Sequence, residues 1–195
     1  MRKLTAADYL VMPWKNGGGT TTQLAVSPAG AALDSFDWRI STAQVAADGP
    51  FSAFPGIDRS LAILHGHGLH LAGDECRRMD EDSAPFVFRG EQRISATLKN
   101  GPVTDFNVMT RRAACTHTLE VMEVRDIHRC PPRSDLMLLY VARGQVACLG
   151  GRRELCAQGE SLLVDWREET AVELAVPNPA RICLAHITFK ETRND

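Results

Sequence analysis

An all-β protein, folded as sandwiches or barrels of short strands, is the class this sequence predicts. Three observations carry the prediction. Apolar and polar residues alternate in short runs, the period of a strand with two unlike faces. Glycine, proline, asparagine and aspartate punctuate those runs at close intervals. No segment sustains the 3.6-residue apolar period of a long helix.

The chain opens on a lead-in or first strand over residues 1–12, in which Thr5-x-x-Asp8 has the spacing of a helical cap. Pro13-Trp14-Lys15-Asn16-Gly17-Gly18-Gly19 follows. Three glycines let the backbone take positive φ and come close to another group. A phosphate loop is excluded, because neither G-x-x-x-x-G-K-[ST] nor G-x-G-x-x-G is present and the next segment is strand-like. Two readings stay open. The glycines make a hairpin or bulge, or they make a ligand-contacting loop with Trp14, Asn16 and the bare backbone at Gly18. Thr20–Val26 then alternates, with Thr20, Thr22, Leu24 and Val26 on one face and Thr21, Gln23 and Ala25 on the other.

Phe36–Leu71 is the stretch around which the rest is arranged. Trp38–Thr42 reads as a strand with Trp38, Ile40 and Thr42 on one face and Arg39 and Ser41 on the other. Asp48-Gly49-Pro50 and Pro55-Gly56 bracket a loop holding Phe51 and Phe54. Two aromatics need burial, so the loop reads as a packed lid beside a barrel mouth, setting Asp58 and Arg59 in place. Ser60–Leu64 is a buried strand, and His65-Gly66-His67-Gly68 a turn into Leu69–Leu71.

Charged Gly73–Pro85 is a loop; Phe86–Phe88 and Ile94–Leu98 are strands. In the strand Val103–Thr110, Asp105, Asn107 and Met109 share one face, Phe106 and Val108 the other. Residues 111–116 mark a boundary, giving halves 1–112 and 113–195 packed as one unit. The second half offers strands at Thr118–Val124, Leu136–Val141, Val146–Leu149, Ala171–Val176 and Ile182–Phe189. SLAILHGHGLHLAG and LMLLYVARGQVACLGG each join an apolar run to a short strand through a glycine turn, a weak internal repeat.

Composition narrows the function. The chain of 195 residues is 44% apolar and 24% charged, ordinary for a globular protein. A net charge of −2 and the lack of a basic stripe exclude nucleic acid as partner. No run is long enough to span a membrane, and MRKLTAADYLVMPWK lacks an apolar signal core, so a cytoplasmic protein is expected. Six scattered cysteines without a C-x-x-C pair fit reduced thiols acting as small hydrophobes.

His65-x-His67-x-x-His70 invites a metal, but no acidic ligand follows at suitable spacing and the histidines flank a turn. They read as solvent-facing, and neither metal nor cofactor is expected. No nucleophile motif is present. Acid–base chemistry by Asp48, Asp58 or Asp105 has no paired spacing behind it. The better case is a binding site. Polar residues stand at i, i+2 on three strands: Thr21/Gln23, Arg39/Ser41 and Asp105/Asn107. Lining a barrel interior, they make a polar hollow in which Arg39 and Arg59 grip a carboxylate and Asp105 or Asn107 accepts from an amide. The ordinary alternatives are a solvated strand face, or structural ion pairs of Arg39, Arg59 and Asp58.

PWKNGGGTTTQLAV, DWRIS…ADGPFSAFPGIDRSLAIL and GPVTDFNVMTRR resemble the HutD/Ves family over nearly the whole chain. The resemblance implies a cupin-like jelly roll in two tandem barrel halves, and a small anionic ligand such as N-formylglutamate, bound in the service of histidine utilisation without catalysis. It leaves two further readings: a hydrolase or isomerase of such a metabolite, and a stress-response interaction protein with a vestigial cavity. Cupin-like chains also form homodimers by sheet edges, though no residue pattern here requires it. Gln23 stands where the family motif leads one to expect an acidic residue.

Overall fold

Every regular element among residues 1–191, which this computed structural model describes, is a β-strand. The first eleven are β1 (Arg2–Leu4), β2 (Leu10–Pro13), β3 (Gly19–Ser27), β4 (Trp38–Val45), β5 (Gly49–Pro50), β6 (Ile57–His65), β7 (Leu69–Gly73), β8 (Arg77–Met79), β9 (Phe86–Arg89), β10 (Ile94–Leu98) and β11 (Val103–Arg111). The rest are β12 (Cys115–Val124), β13 (Ile127–Cys130), β14 (Leu136–Arg143), β15 (Gln145–Leu149), β16 (Arg153–Ala157), β17 (Ser161–Asp165), β18 (Val172–Ala175) and β19 (Ala180–Phe189). No helix among the described residues is long and apolar enough to cross a membrane.

The chain divides into two units. One is Leu10–Cys115; the other joins Met1–Tyr9 to the chain from Thr116 onward. The division thus falls three residues beyond the expected 112/113 boundary. The first nine residues go with the later unit because β1 pairs antiparallel with β17, setting Lys3 opposite Leu162. Thr5 and Asp8 close a turn there, with the Thr5 N–H donating to Asp8 Oδ2 at 2.9 Å, rather than a helix.

The unit Leu10–Cys115 has a six-stranded sheet, β2-β3-β4-β11-β6-β9, and a four-stranded sheet, β5-β10-β7-β8. Leu61, Ile63, Phe86 and Val103 from the larger sheet meet Leu69, Leu71, Ile94 and Ala96 from the smaller in one core. The other unit has sheets β1-β17-β14-β19-β12 and β13-β18-β15-β16, around a core that includes Met137, Leu139, Val141, Ile182 and Leu184. The four strands β4-β11-β6-β9 are matched by β12-β19-β14-β17, and β5-β10-β7-β8 by β13-β18-β15-β16. The repeat suspected from two glycine turns is therefore a repeat of strand order. Among the described residues no sheet closes on itself, so each unit is a pair of facing sheets.

One alternation fails. A bulge in β3 between Gln23 and Ala25 leaves Leu24 unpaired, and Val26 falls opposite Arg39. Val26 therefore lies on the Gln23 side of the sheet and not with Thr20 and Thr22, because one extra residue reverses every later side chain.

Candidate functional site: a buried polar cavity

Residues directly opposed on neighbouring strands share a sheet face. Three rows cross the larger sheet of the unit Leu10–Cys115. Thr21, Ala43, Asp105 and Ile63 form one; Gln23, Ser41, Asn107 and Leu61 the next; Val26, Arg39, Met109 and Arg59 the third. The three polar pairs read from the sequence thus lie on one face of one sheet, joined by Arg59. A cavity of about 520 Å³ opens there, within the usual range for small-ligand sites. Arg39, Ser41, Arg59, Asp105 and Asn107 line it, and all five are buried.

The two arginines are held differently. Arg39 Nε donates to Gln23 Oε1 at 2.8 Å, which fixes the plane of its guanidinium. Arg59 lies among three phenylalanine rings, its guanidinium carbon 4.8 Å from the Phe88 centroid, 5.4 Å from Phe51 and 5.6 Å from Phe54. Arg59 Nη1 donates to the Ser52 carbonyl at 3.4 Å, while its buried Nε has no partner. Burial lowers the pKa of Arg39 and brings that of Arg59 to about 10; Asp105 opposes the Arg59 shift and Arg39 adds to it. Both remain cations at neutral pH. Among the described residues, neither has a carboxylate within ion-pairing distance, 4.0 Å.

Asp105 is 3% exposed. Burial pushes its carboxyl up to about 7, against the opposing pull of Arg59 and the Ala43 backbone N–H. Asp105 Oδ1 and Asn107 Oδ1 are buried without hydrogen-bond partners. Orphaned polar atoms are rare in native interiors and cost free energy. Three of them, Arg59 Nε, Asp105 Oδ1 and Asn107 Oδ1, belong to residues lining this one cavity.

The glycine-rich segment is a hairpin, the first of the two readings. It is the β2–β3 hairpin, with the Trp14 N–H donating to the Gly19 carbonyl at 2.9 Å and Gly17 at φ +70°. It also brings Trp14, Lys15 and Asn16 to the cavity. The Trp14 indole N–H is engaged by Thr21 Oγ1 at 2.8 Å, so the ring serves as wall. The Phe51–Phe54 loop is packed at the cavity as expected, tied down by the Phe51 N–H to the Ile94 carbonyl and the Phe54 N–H to the Gly90 carbonyl, both at 2.8 Å.

Three residues expected at the site are not among the lining groups. Gly18 is turned into the hairpin, its N–H bonded to Asn16 Oδ1 and its carbonyl to the Ala46 N–H. Gln23 acts one step back, through Arg39. Asp58 ion-pairs with Arg112 at 2.9 Å. It precedes Arg59 on the same strand and so points to the other face, as alternation itself required. Phe88 was missed as a cavity-side partner of Arg59; its i, i+2 relation to buried Phe86 was the available signal. His65, His67 and His70 are exposed, and among the described residues no three His, Cys, Asp or Glu side chains cluster to hold a metal. All six cysteines are free, five of them buried.

The second unit carries apolar residues at the matching places. In β6 and β14 the pairing slips at matching places, beside Ile63–Asp105 and Val141–Ile182. Counting from those slips, Asp105 corresponds to Ile182, Asn107 to Leu184 and Arg59 to Met137. All three counterparts are core hydrocarbon.

Facing β-sheets around a buried polar hollow define an all-β, cupin-like protein. A cupin 2 conserved barrel protein from Leptotrichia buccalis shares this fold at 10% identity, with TM-score 0.60 over 91% of this chain and 92% of that one. The chain belongs to the HutD family, whose model matches residues 6–184. HutD from Pseudomonas fluorescens SBW25 (formate condition) is 30% identical, with TM-score 0.80 over 97% of this chain and 99% of its own. A conserved protein of unknown function from Pseudomonas aeruginosa PAO1 is 29% identical, with TM-score 0.88 over 96% and 98%. An uncharacterized 21.2 kDa protein in the hutC 3' region of Pseudomonas putida is 40% identical over 111 residues, 56% of this chain and 57% of its own length. Protein Ves of Escherichia fergusonii is 36% identical over 121 residues, 60% and 62% of the two chains. The matched stretches thus span less than two thirds of these two curated relatives.

Proposed function

We propose that this is a non-enzymatic binding protein for a small anionic metabolite of the N-formylglutamate type, held in the cavity of the unit Leu10–Cys115. One observation carries the reading: two buried guanidiniums, Arg39 and Arg59, face one hollow with no carboxylate within 4.0 Å of either among the described residues, Asp105 acting on Arg59 only from beyond that distance. Buried charges ordinarily come paired, and a planar fork matches a carboxylate with two parallel hydrogen bonds. The apolar walls of Trp14, Phe51 and Met109 suit the alkyl part of such a ligand.

The context is histidine utilisation, in keeping with the family and with a relative named for the hutC region. The protein then acts in the cytoplasm as a governor of flux through histidine breakdown, its two units being tandem cupin-like barrel halves. A homodimer through sheet edges is compatible with the exposed Leu10 and Val11 on edge strand β2.

Thermal shift against intermediates of histidine degradation, N-formyl-L-glutamate included, tests the reading. Stabilisation without turnover, reduced in Arg39→Ala, is the expected result. Product formation, or no shift with any of the compounds, overturns it.

A further inference from the structure

We propose that anion capture in this cavity is proton-linked: Asp105 takes up one proton from solvent as the anion binds. The inference rests on the reading of the cavity as an anion site and adds a control to it.

The geometry leaves Asp105 little other choice. Its carboxyl lies in the row between Ala43 and Ile63, and Oδ1 finds no donor. β4 supplies the Ala43 N–H to it and brings Arg39 to the same cavity; β6 supplies Arg59. The β2–β3 hairpin brings Lys15 to the same cavity, and the core residues contributed by the smaller sheet are apolar. Arg59 is the main charge holding Asp105 ionised. An entering carboxylate takes up that guanidinium, adds a like charge beside Asp105 and displaces water. Each effect favours the neutral acid.

Asp105 already titrates near neutrality, at about 7. Proton uptake therefore falls within the physiological range. As an acid, Asp105 also becomes a donor, and it favours ligands that carry a carbonyl acceptor besides their carboxylate.

The test is calorimetric titration of wild-type protein with N-formyl-L-glutamate at pH 6 and pH 8.5, in buffers of different ionisation enthalpy. The ligand's carboxyls stay ionised throughout this range. Affinity is expected to weaken about tenfold per pH unit above the Asp105 midpoint, with close to one proton taken up per anion at pH 8.5. Asp105→Asn, a permanent mimic of the neutral carboxyl, is expected to lose the pH slope. Equal affinity at both pH values with no proton uptake overturns the proposal while leaving the anion site intact. Absence of binding at either pH overturns both. Should D105N fail to fold, the buffer comparison on wild-type protein decides alone.

Discussion

Arg39 and Arg59 stand opposite the same residue, Met109, on strands to either side of β11, and both point into one cavity. Two strand spacings put their backbones about 10 Å apart. Buried like charges at that range repel, and Arg39 indeed helps to lower the pKa of Arg59. Three phenylalanine rings and one glutamine hold the pair in place where a carboxylate ordinarily would. Two like charges are thus buried beside one cavity with no carboxylate within 4.0 Å of either among the described residues.

Removing either guanidinium should therefore weaken binding more than it harms the fold. Arg39→Ala and Arg59→Met are each expected to lower affinity for N-formyl-L-glutamate by about 10- to 100-fold, the range for a charge-assisted hydrogen bond. Arg59→Lys keeps the charge but loses the planar fork and its stacking on Phe88, so it should not restore wild-type affinity. Titration calorimetry reads all three.

Gln23 offers a test of the open charge itself. Its Oε1 accepts from Arg39 Nε at 2.8 Å, and the residue is neutral. Gln23→Glu would give Arg39 an ion-pair partner on the spot, competing with the ligand for the same guanidinium. Affinity should fall by about tenfold, the worth of a partly buried ion pair, and the loss should shrink as salt screens the new pair. Gln23→Ala frees the guanidinium to rotate and should weaken binding less.

How much of this was legible in the sequence follows from what local pattern can encode. Alternation placed Arg39 with Ser41, and Asp105 with Asn107, on common faces, because the two-residue period survives any packing. The loop around Phe51 and Phe54 announced its packing at the cavity by composition, although both rings are only half-buried. The β3 bulge was not legible: Leu24 looks like any strand residue, and only pairing with β4 shows that it is the extra one. Asp58 was misassigned for a different reason. Its charge next to Arg59 suggested a shared role, while the period of the strand sent it to the opposite face and to Arg112. The strand order was beyond reach, since sheet neighbours such as β4 and β11 are far apart in sequence.

Gly19 sets how closely the hairpin lies over the sheet. A Cβ there would meet the Gln44 carbonyl oxygen at 2.4 Å and the Trp14 ring at 3.0 Å. The first neighbour is backbone within paired strands and cannot swing aside. Gly19→Ala should destabilise the protein by about 1–3 kcal/mol, the usual cost of overpacking, and displace the Trp14 wall. Urea denaturation gives the first effect and tryptophan fluorescence the second.

Asp105 should leave a signature in stability against pH even without ligand. Its pKa is about 7 folded and close to 3.8 when unfolded. Between those values the folded chain holds one proton more than the unfolded chain. The contribution of this group thus falls as pH rises from 4 to 7, and the penalty is complete above 7. Asp105→Asn removes a charge that burial opposes. The gain in urea midpoint of the variant over wild type should be small near pH 4.5, grow through neutrality and level off above it.

The second unit supplies the strictest prediction, because it shows the same strand order with hydrocarbon at the matching places. Met137, Ile182 and Leu184 occupy the positions of Arg59, Asp105 and Asn107, and all are core residues. Replacing buried ionic groups by packed apolar ones is often neutral or stabilising, by about 1–4 kcal/mol. The triple variant Arg59→Met, Asp105→Ile, Asn107→Leu should accordingly fold, melt at or above the wild-type temperature, and bind no anion. If the polar set served only to specify the fold, the triple variant would instead melt early or lose its cooperative transition. Calorimetric melting and ligand titration on the same preparation separate a retained binding site from a structural relic.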